Sequence, residues 1–312
     1  MEAIMSEIKK YPASFIMLSY NQKDCVDIAV HAALNQQCIP LEIIFSDDAS
    51  TDGTFDIIKN IVSNYTGPHY VKAIQNNHNL GINLHLERLV EIAKSDLIIW
   101  AAGDDVSFPN RANQIIKAHN SSGAKLIFSD AITHTSKGTK GSDIHKSALF
   151  YGSYNLRQTA VSFALYLGAT LATHKSLFKS YDKLPKNGVY EDLILGFRAN
   201  LENSIYYIDM PLISYLEDEG ITGTNAIKKN RRQILLMQIK TIEQRIIDAK
   251  KFGLSHKDPI IKILKKNQNW YKSRLNFYSK YYGISFSFMY SPIRSIHALL
   301  AEALRAKKNR HL

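Results

Sequence analysis

Short apolar runs alternate with amphipathic stretches along the front of the chain. Each run has the length and content of a buried strand, and the stretches between runs place apolar residues three or four positions apart, as a helix does. Strands that alternate with helices predict a mostly parallel sheet joined by right-handed crossovers. The predicted strands are 14–18, 41–45, 69–74, 97–100 and 125–128, and the predicted helices are 24–36, 55–65, 82–93 and 108–120.

The pattern is less regular after residue 130, and it changes again near residue 226. From 227 onward apolar residues recur at helical spacing among basic ones, which predicts a helical tail at 226–312 behind a domain at 1–225. Between residues 130 and 226 the sequence predicts a Gly/Ser/Lys-rich loop at 135–143, an apolar helix at 156–167, a helix beginning near 189, a strand at 205–208 and a glycine-containing loop at 215–224.

The net charge of +11 lies entirely in the tail. Residues 226–312 contain 20 Lys and Arg against 4 Asp and Glu, which leaves 19 against 24 in the rest of the 312-residue chain. A mildly acidic front argues against nucleic-acid binding there. Cys25 and Cys38 match no zinc spacing, and no signal peptide or apolar run of membrane-spanning length stands in the sequence, so we expect a cytoplasmic protein.

Aromatic residues interleave with Lys and Arg in the tail, mostly after Trp270. This mixture fits the headgroup layer of an anionic bilayer, which would make the protein peripheral on the inner face of the membrane. The alternative is a helical bundle that packs on the domain at 1–225 or on a second subunit. An apolar stripe more often belongs to a protein core, which favours the bundle.

Two adjacent acids, Asp104 and Asp105, follow the predicted strand 97–100. Open α/β sheets bind ligands outside the carboxyl ends of their strands, so an acidic pair at this position indicates a site. The alternative is a polar turn that closes the strand, with Pro109 starting the next helix.

A second acidic loop, 46–54, follows the strand 41–45. Its alternating acids resemble a calcium loop, but Lys59 stands where that loop needs a bidentate glutamate. Capping of the next helix by Thr51 or Asp52, with Gly53 in the turn, explains part of the pattern. Capping leaves Asp47 and Asp48 unexplained.

Five segments, in order, resemble family 2 glycosyltransferases. The resemblance covers roughly residues 13–225 and implies the GT-A fold, with a nucleotide-binding part at about 13–130 and an acceptor-binding part at about 131–225. Two alternatives are a sugar-1-phosphate nucleotidyltransferase, whose glycine-rich phosphate loop is absent after the first strand, and a non-catalytic sugar-nucleotide-binding subunit. The segments are Ser19-Tyr20-Asn21, 46–54, Asn79-Leu80-Gly81, 103–109 and Glu191-Asp192.

The resemblance implies an inverting enzyme that moves a hexosyl or hexosaminyl group from a nucleotide-diphosphate sugar, UDP-linked by preference, to an acceptor hydroxyl. The acceptor would be a saccharide or a lipid-linked saccharide in surface polysaccharide assembly. Mn²⁺ or Mg²⁺ would neutralise the leaving phosphates. Asp104 matches the family's metal ligand with Asp105 beside it, while Ala102 replaces the first acid of that motif.

On the donor side, the resemblance assigns Asp48 to the nucleotide base and Tyr20 to a ring that packs on it. Tyr20 as a half-buried aromatic at a strand end is an equally good interpretation. Arg88 stands two positions after the place where the family has an arginine. The predicted nucleotide-binding residues are Ser19, Tyr20, Asn21, Asp48, Asn79, Gly81 and Asp104.

On the acceptor side, the resemblance makes Asp192 the general base, with Glu191 and Gly168 in support. The alternative for acids in a helix's first turn is stabilisation of the helix dipole, about 0.3–1 kcal/mol. A helix N-terminus lowers the pKa of a carboxyl group, so we expect Asp192 to be ionised at neutral pH. The loop 215–224 resembles the one that folds over the donor in relatives.

Overall fold

The computed structural model describes residues 11–135, 138–140, 155–163, 168–216 and 231–278. The described strands form one nine-stranded sheet with the order β3-β2-β1-β4-β8-β6-β9-β5, and β7 pairs with β6 at the side. The strands are β1 Ser14–Ser19, β2 Glu42–Asp47, β3 Tyr70–Gln75, β4 Leu97–Ala102, β5 Val106–Ser107, β6 Leu126–Thr135, β7 Gly138–Lys140, β8 Ala172–His174 and β9 Ile205–Leu216.

Helices cover both faces of this sheet. The first four follow the predicted ranges closely, and a 3-10 turn at Gly168–Thr170 precedes β8. The helices are α1 Val26–Leu34, α2 Thr54–Ser63, α3 Ile82–Ile92, α4 Arg111–Ser122, α5 Leu156–Val161, α6 Ser176–Lys179, α7 Glu191–Leu201, α8 Arg231–Lys251 and α9 Pro259–Tyr278.

The parallel half of the sheet confirms the prediction from alternation. β1 pairs in parallel with β2 and β4, and β2 pairs in parallel with β3. Phe15 belongs to the core on the side of α1 and α4, whereas Ile16 belongs to the core on the side of α3 and α7. Successive residues of a strand point to opposite faces, which explains why these strands are apolar throughout.

The other half of the sheet is mixed. β8 is antiparallel to both β4 and β6, while β9 is parallel to β6 and antiparallel to β5. Two predicted strands are longer than expected, because β6 and β9 continue through polar residues that pair with each other. The sheet brings the ends of β1, β2 and β4 to one edge and is the mixed α/β sheet of a GT-A fold.

The prediction of a helix over 156–167 is wrong at its end. Asn155 and Gln158 form a capping box at the start of α5, but the helix ends at Val161, and Ser162 has extended backbone geometry. Residues 164–167 lie outside the described part of the chain, as do most of the predicted loops 135–143 and 215–224 and the predicted boundary at 225/226.

The described part of the tail is a helical pair that packs on the rest of the chain. Ile242 and Ile246 of α8 share a core with Phe197 of α7 and Ala160 of α5. Over residues 231–278 the structure therefore agrees with the bundle interpretation; the aromatic segment after Tyr278 lies outside the described residues. Among the described helices, none has the length and apolar character needed to cross a bilayer.

Candidate active site at the carboxyl edge of the sheet

The loop after β1 is tied to the loop after β2. Asn21 has a positive φ of 51°, and its backbone N–H donates to Ser50 Oγ at 2.8 Å. Its side-chain Oδ1 accepts from the backbone N–H of Thr51 at 3.0 Å. Asparagine tolerates this left-handed geometry better than most residues. Two segments predicted to bind the nucleotide are therefore in direct contact.

Asp47, which the sequence left without a role, organises this junction. It is fully buried at the end of β2, and its carboxylate accepts four hydrogen bonds, from the backbone N–H and the Oγ of Ser50 at 2.8 and 2.5 Å, from Gln75 Nε2 at 3.0 Å and from Ser19 Oγ at 3.3 Å. Three strand ends thus converge on one carboxylate. Asp47 fixes the loop and is not available to a ligand.

Asp48 holds the loop that precedes α3. Its carboxylate accepts from Asn76 Nδ2 at 2.6 Å and from the backbone N–H groups of Leu80 and Gly81, both at 2.9 Å. Arg88 donates to Asn76 Oδ1 and so supports the same loop. The acid predicted to bind the base and the loop predicted to lie next to the nucleotide therefore form one structural unit.

Tyr20 stands beside this unit with 48% of its surface exposed. Ser19, its neighbour, is buried and contacts Asp47, while Asn79 is exposed and accepts from the Gly81 N–H at 2.9 Å. An exposure of 48% fits both a stacking surface and a half-buried aromatic at a strand end, so the role of Tyr20 stays a prediction.

The turn Gly103-Asp104-Asp105 packs against the loop after β1. A Cβ on Gly103 would lie 2.5 Å from Gln22 Oε1 and 3.2 Å from the Cβ of Ser19, which explains the glycine. Asp104 is half-buried. Asp105 is buried, and its Oδ1 has no hydrogen-bond partner.

Burial and the neighbouring Asp104 raise the pKa of Asp105 well above its usual value, and the positive charge of Arg111 only partly opposes them. Asp104 therefore offers the more accessible carboxylate for a divalent ion. Within the described ranges, no three His, Cys, Asp or Glu side chains gather as a metal cluster. Asp104 with phosphate and water ligands fits Mn²⁺ or Mg²⁺, which need few protein carboxylates.

Arg111 is a residue of this region that sequence reasoning missed. It is fully buried at the start of α4 and donates to the backbone oxygens of Trp100, at 2.7 Å, and Ala169, at 2.8 Å. It also donates to Ser107 Oγ at 2.8 Å. Arg111 thus joins β4 and β5, the strands on either side of the acidic turn, to the 3-10 turn that contains Gly168.

The predicted acceptor-side residues are also neighbours. A Cβ on Gly168 would lie 3.2 Å from Glu191 Oε1, so a larger residue at this position would press on the Glu191 carboxylate. Glu191 and Asp192 open α7 and are half-buried, and the backbone N–H of Leu193 donates to Asp192 Oδ1 at 2.6 Å.

The expectation that Asp192 is ionised at neutral pH is contradicted. Burial, and next the nearby Glu191, raise the pKa of Asp192 to about 8 from its usual 3.8. The Leu193 N–H and the positive charge of Arg245 act in the opposite direction but do not prevail. Loss of hydration outweighs the helix N-terminus at this site, which the position in sequence could not reveal.

Comparisons with known proteins show the family and the fold. The sequence pattern of glycosyl transferase family 2 matches residues 14–181. A segment of 117 residues, 37% of this chain, is 34% identical to 43% of the Escherichia coli protein named UDP-Glc:alpha-D-GlcNAc-diphosphoundecaprenol beta-1,3-glucosyltransferase WfaP. The matched segments span 26% to 43% of the curated relatives' own lengths.

Solved structures share the fold at low sequence identity. Residues 1–349 of S. aureus TarS in complex with UDP-GlcNAc superpose with a TM-score of 0.60 and 15% identity, over 92% of this chain and 79% of that one. The mannosyltransferase PcManGT from Pyrobaculum calidifontis, in complex with GDP-Man and Mn²⁺, gives a TM-score of 0.54 and 14% identity over 96% of this chain and 81% of that one. The family pattern covers more than half of the residues, and the chain therefore belongs to glycosyl transferase family 2.

Proposed function

We propose that this chain is an inverting glycosyltransferase that moves a hexosyl or hexosaminyl group from a nucleotide-diphosphate sugar to an acceptor hydroxyl. One observation carries the proposal: direct contacts hold together the segments that the family uses. Asn21 contacts the loop after β2, Asp48 contacts the loop before α3, and a Cβ on Gly168 would lie 3.2 Å from Glu191 Oε1. Segments far apart in sequence thus share one sheet edge.

The donor site is proposed at the loops after β1 and β2. Tyr20 offers an exposed ring for stacking, and Asp48 retains acceptor capacity toward an N–H of the base, because a carboxylate accepts about four hydrogen bonds and three are in use. Ser19, Asn21, Asn79 and Gly81 complete the proposed donor site. A UDP-sugar is the preferred donor, and the TarS complex with UDP-GlcNAc supports that class.

Asp104 is the proposed ligand for Mn²⁺ or Mg²⁺, with Asp105 buried behind it. A bound divalent ion supplies positive charge beside the phosphates as negative charge grows on the leaving group. The Mn²⁺ in the PcManGT complex supports this choice. In the protein itself, the turn that contains Asp104 packs through Gly103 against the loop after β1.

Asp192 is the proposed general base. It takes the proton of the acceptor hydroxyl while the oxygen attacks the anomeric carbon and the bond to the diphosphate breaks, so the configuration inverts. Because burial and Glu191 raise the pKa of Asp192 to about 8, the ionised form grows as pH rises from 6 to 8. Turnover limited by this step rises over the same interval.

The acceptor is proposed to be a saccharide or lipid-linked saccharide of surface polysaccharide assembly. The printed activity of WfaP, a transfer onto a diphosphoundecaprenol-linked sugar, supports this class. A protein working there would be cytoplasmic, with peripheral contact to the inner face of the membrane or self-association through the tail.

If Asp192 is the base, Asp192→Asn should lose turnover and keep donor binding. Turnover should fall about 100-fold or more while donor affinity stays within a few-fold, since an amide cannot accept the proton. Steady-state transfer assays and calorimetry on the same samples measure the two quantities. Near-normal turnover in the variant would exclude Asp192 as the base.

Metal binding is tested with Asp104→Ala in a thermal-shift panel of nucleotide sugars with and without Mn²⁺. The wild type should gain several degrees with its preferred donor plus Mn²⁺, because a ligand present at 100 times its Kd stabilises the folded state by about 2.7 kcal/mol. Asp104→Ala should lose the metal-dependent part of that gain. A wild type that no nucleotide sugar stabilises would refute the proposed function.

A further inference from the structure

We propose that Arg245, supplied by the tail helix α8, is a positioning residue for the acceptor-side base: it holds the first turn of α7 and presents a buried positive charge to Asp192. The inference rests on the proposed function for the role of Asp192 as base. α8 lies outside the five segments that resemble the family, so a role for Arg245 would give the tail a function in the reaction.

The guanidinium of Arg245 donates to three backbone oxygens that belong to two segments of the chain. It donates to the carbonyl oxygen of Leu193 at 3.1 Å and to those of Ser162 and Ala160 at 2.8 and 3.3 Å. Ala160 and Ser162 lie at the end of α5, and Leu193 lies in the first turn of α7. A single side chain of the tail therefore fixes both segments that flank the proposed acceptor side.

Leu193 connects this contact to the base. Its N–H donates to Asp192 Oδ1 at 2.6 Å, and its carbonyl oxygen accepts from Arg245 Nη2. A shift of the guanidinium would therefore move the residue that orients the Asp192 carboxyl group. This is a positional effect that operates even when Asp192 is protonated.

The charge of Arg245 acts in a dry environment. The side chain is fully buried, and its guanidinium carbon lies 5.5 Å from the ring centroid of Phe163 and 5.7 Å from that of Phe197. Such surroundings screen a charge weakly, so its field reaches farther than it would in water. A lysine keeps the charge but cannot match the planar fork of donors.

The other charged groups near α7 do not replace Arg245. α5, α6, α8, β6 and β9 pack on this helix. Lys179 of α6 pairs with Glu91, and Asp248 of α8 pairs with Arg198. Arg157 of α5 is exposed, whereas Asp130 of β6 is buried with Oδ1 accepting from the Ala131 N–H.

Two charges of the described residues act appreciably on Asp192. Glu191 beside it raises the pKa of Asp192, and Arg245 lowers it. Removal of the Arg245 charge should therefore raise that pKa further. The Leu193 N–H lowers the pKa of Asp192 more than Arg245 does, so we expect a shift at the lower end of the range of about 1 to 3 that an opposite charge can produce in a carboxyl pKa.

The first test needs no substrate. The folded protein binds a proton at Asp192 more tightly than the unfolded chain does, so this group's stabilising contribution is present at low pH and is lost as pH rises through about 8. The difference in melting temperature between wild type and Asp192→Asn should therefore change with pH up to that value. When both proteins also carry Arg245→Gln, their difference in melting temperature should continue to change until a pH about one unit higher.

The second test is the pH profile of sugar transfer. The acid limb of the profile is the range in which turnover rises with pH as Asp192 loses its proton. Arg245→Gln should move this limb to higher pH by about one unit or more, so turnover at a fixed pH below the limb should fall about tenfold. Arg245→Lys keeps the positive charge, so the acid limb should stay near its wild-type pH. Turnover should fall, because a lysine holds the first turn of α7 and the Asp192 carboxyl group less well. Asp248→Asn is the matched control, because it breaks the other buried link between α7 and α8 and should lower stability without moving the limb.

The outcomes separate the two proposals. If Arg245→Gln leaves both the acid limb and the stability difference where they are in the wild type, the inference is wrong. The inference is also wrong if Asp248→Asn shifts the acid limb and the stability difference as much as Arg245→Gln does. If the wild type transfers no sugar from any donor, the proposed function fails, and the stability experiment still decides whether Arg245 acts on Asp192.

Discussion

Asp248→Ala should destabilise the whole protein rather than the tail alone. The Asp248 carboxylate in α8 accepts from Arg198 Nε at 2.9 Å and from Arg198 Nη2 at 3.2 Å, and both side chains are fully buried. Gln244 Nε2 donates to the same carboxylate at 2.9 Å. Truncation leaves the Arg198 guanidinium buried with backbone acceptors only, the oxygens of Leu177 and Asp182.

The size of the effect follows from this burial. Removing one partner of a buried ion pair costs about 3–5 kcal/mol, because the remaining charge stays out of water without compensation. For a chain of this size, about 2 °C of melting temperature accompanies each kcal/mol, so the midpoint should fall by about 6–10 °C. The exposed pair Lys251–Asp182 also bridges the tail to the rest of the chain. Lys251→Ala should cost less than about 1 kcal/mol, which makes it the matched control.

The two tryptophans allow each part of the molecule to be followed separately. Trp100 is buried in β4, and Trp270 lies in α9. Trp100→Phe leaves Trp270 as the only fluorescent tryptophan, and Trp270→Phe leaves Trp100. When Asp248→Ala is added to each of these variants, the urea midpoint of fluorescence should fall by the same amount in both. A lowered Trp270 midpoint beside an unchanged Trp100 midpoint would mean that the tail unfolds independently, and the reasoning would be refuted.

Two further predictions concern the site. Asp48→Asn should weaken donor binding at least about tenfold by calorimetry, because an amide presents N–H groups to backbone donors and each hydrogen bond to a charged acceptor is worth about 1.5–3 kcal/mol; the exposed Asp56→Asn should have no such effect, and equal effects would contradict the role of Asp48. Gly168→Val should reduce turnover by up to about 100-fold with donor affinity preserved, because the added carbons displace the Glu191 carboxylate. A parallel loss of donor binding would argue against an acceptor-side role for Gly168.

The parallel half of the fold and the convergence of the loops after β1 and β2 could be predicted from the sequence. Buried strands such as β1 and β4 are continuous apolar runs, and their loops must meet at one edge once the strands are parallel. The contact between Asn21 and Ser50 follows from that adjacency. The short strands β5 and β8 could not be predicted, because so few residues in each carry no periodic signal.

Residues whose role depends on burial were not predictable in the same way. Arg111 and Arg245 look like ordinary surface cations in the sequence, yet both are fully buried. One signal existed for Arg245: it lies three positions after Ile242 and directly before Ile246, on the edge of the apolar stripe of α8. A charge on such an edge is buried only if its donors find acceptors, and these come from α5 and α7.

The two buried charges of α8 act on the same helix with different consequences. Asp248 and Arg198 neutralise each other, so their main effect is on the stability of the junction between α7 and α8. Arg245 donates to backbone oxygens, including that of Leu193, and its positive charge lowers the pKa of Asp192. The motif segments of the family end at Asp192, but the environment that sets its protonation extends to the tail. On this account a fragment that ends at residue 225 would retain the proposed base and lose the group that favours its ionised form.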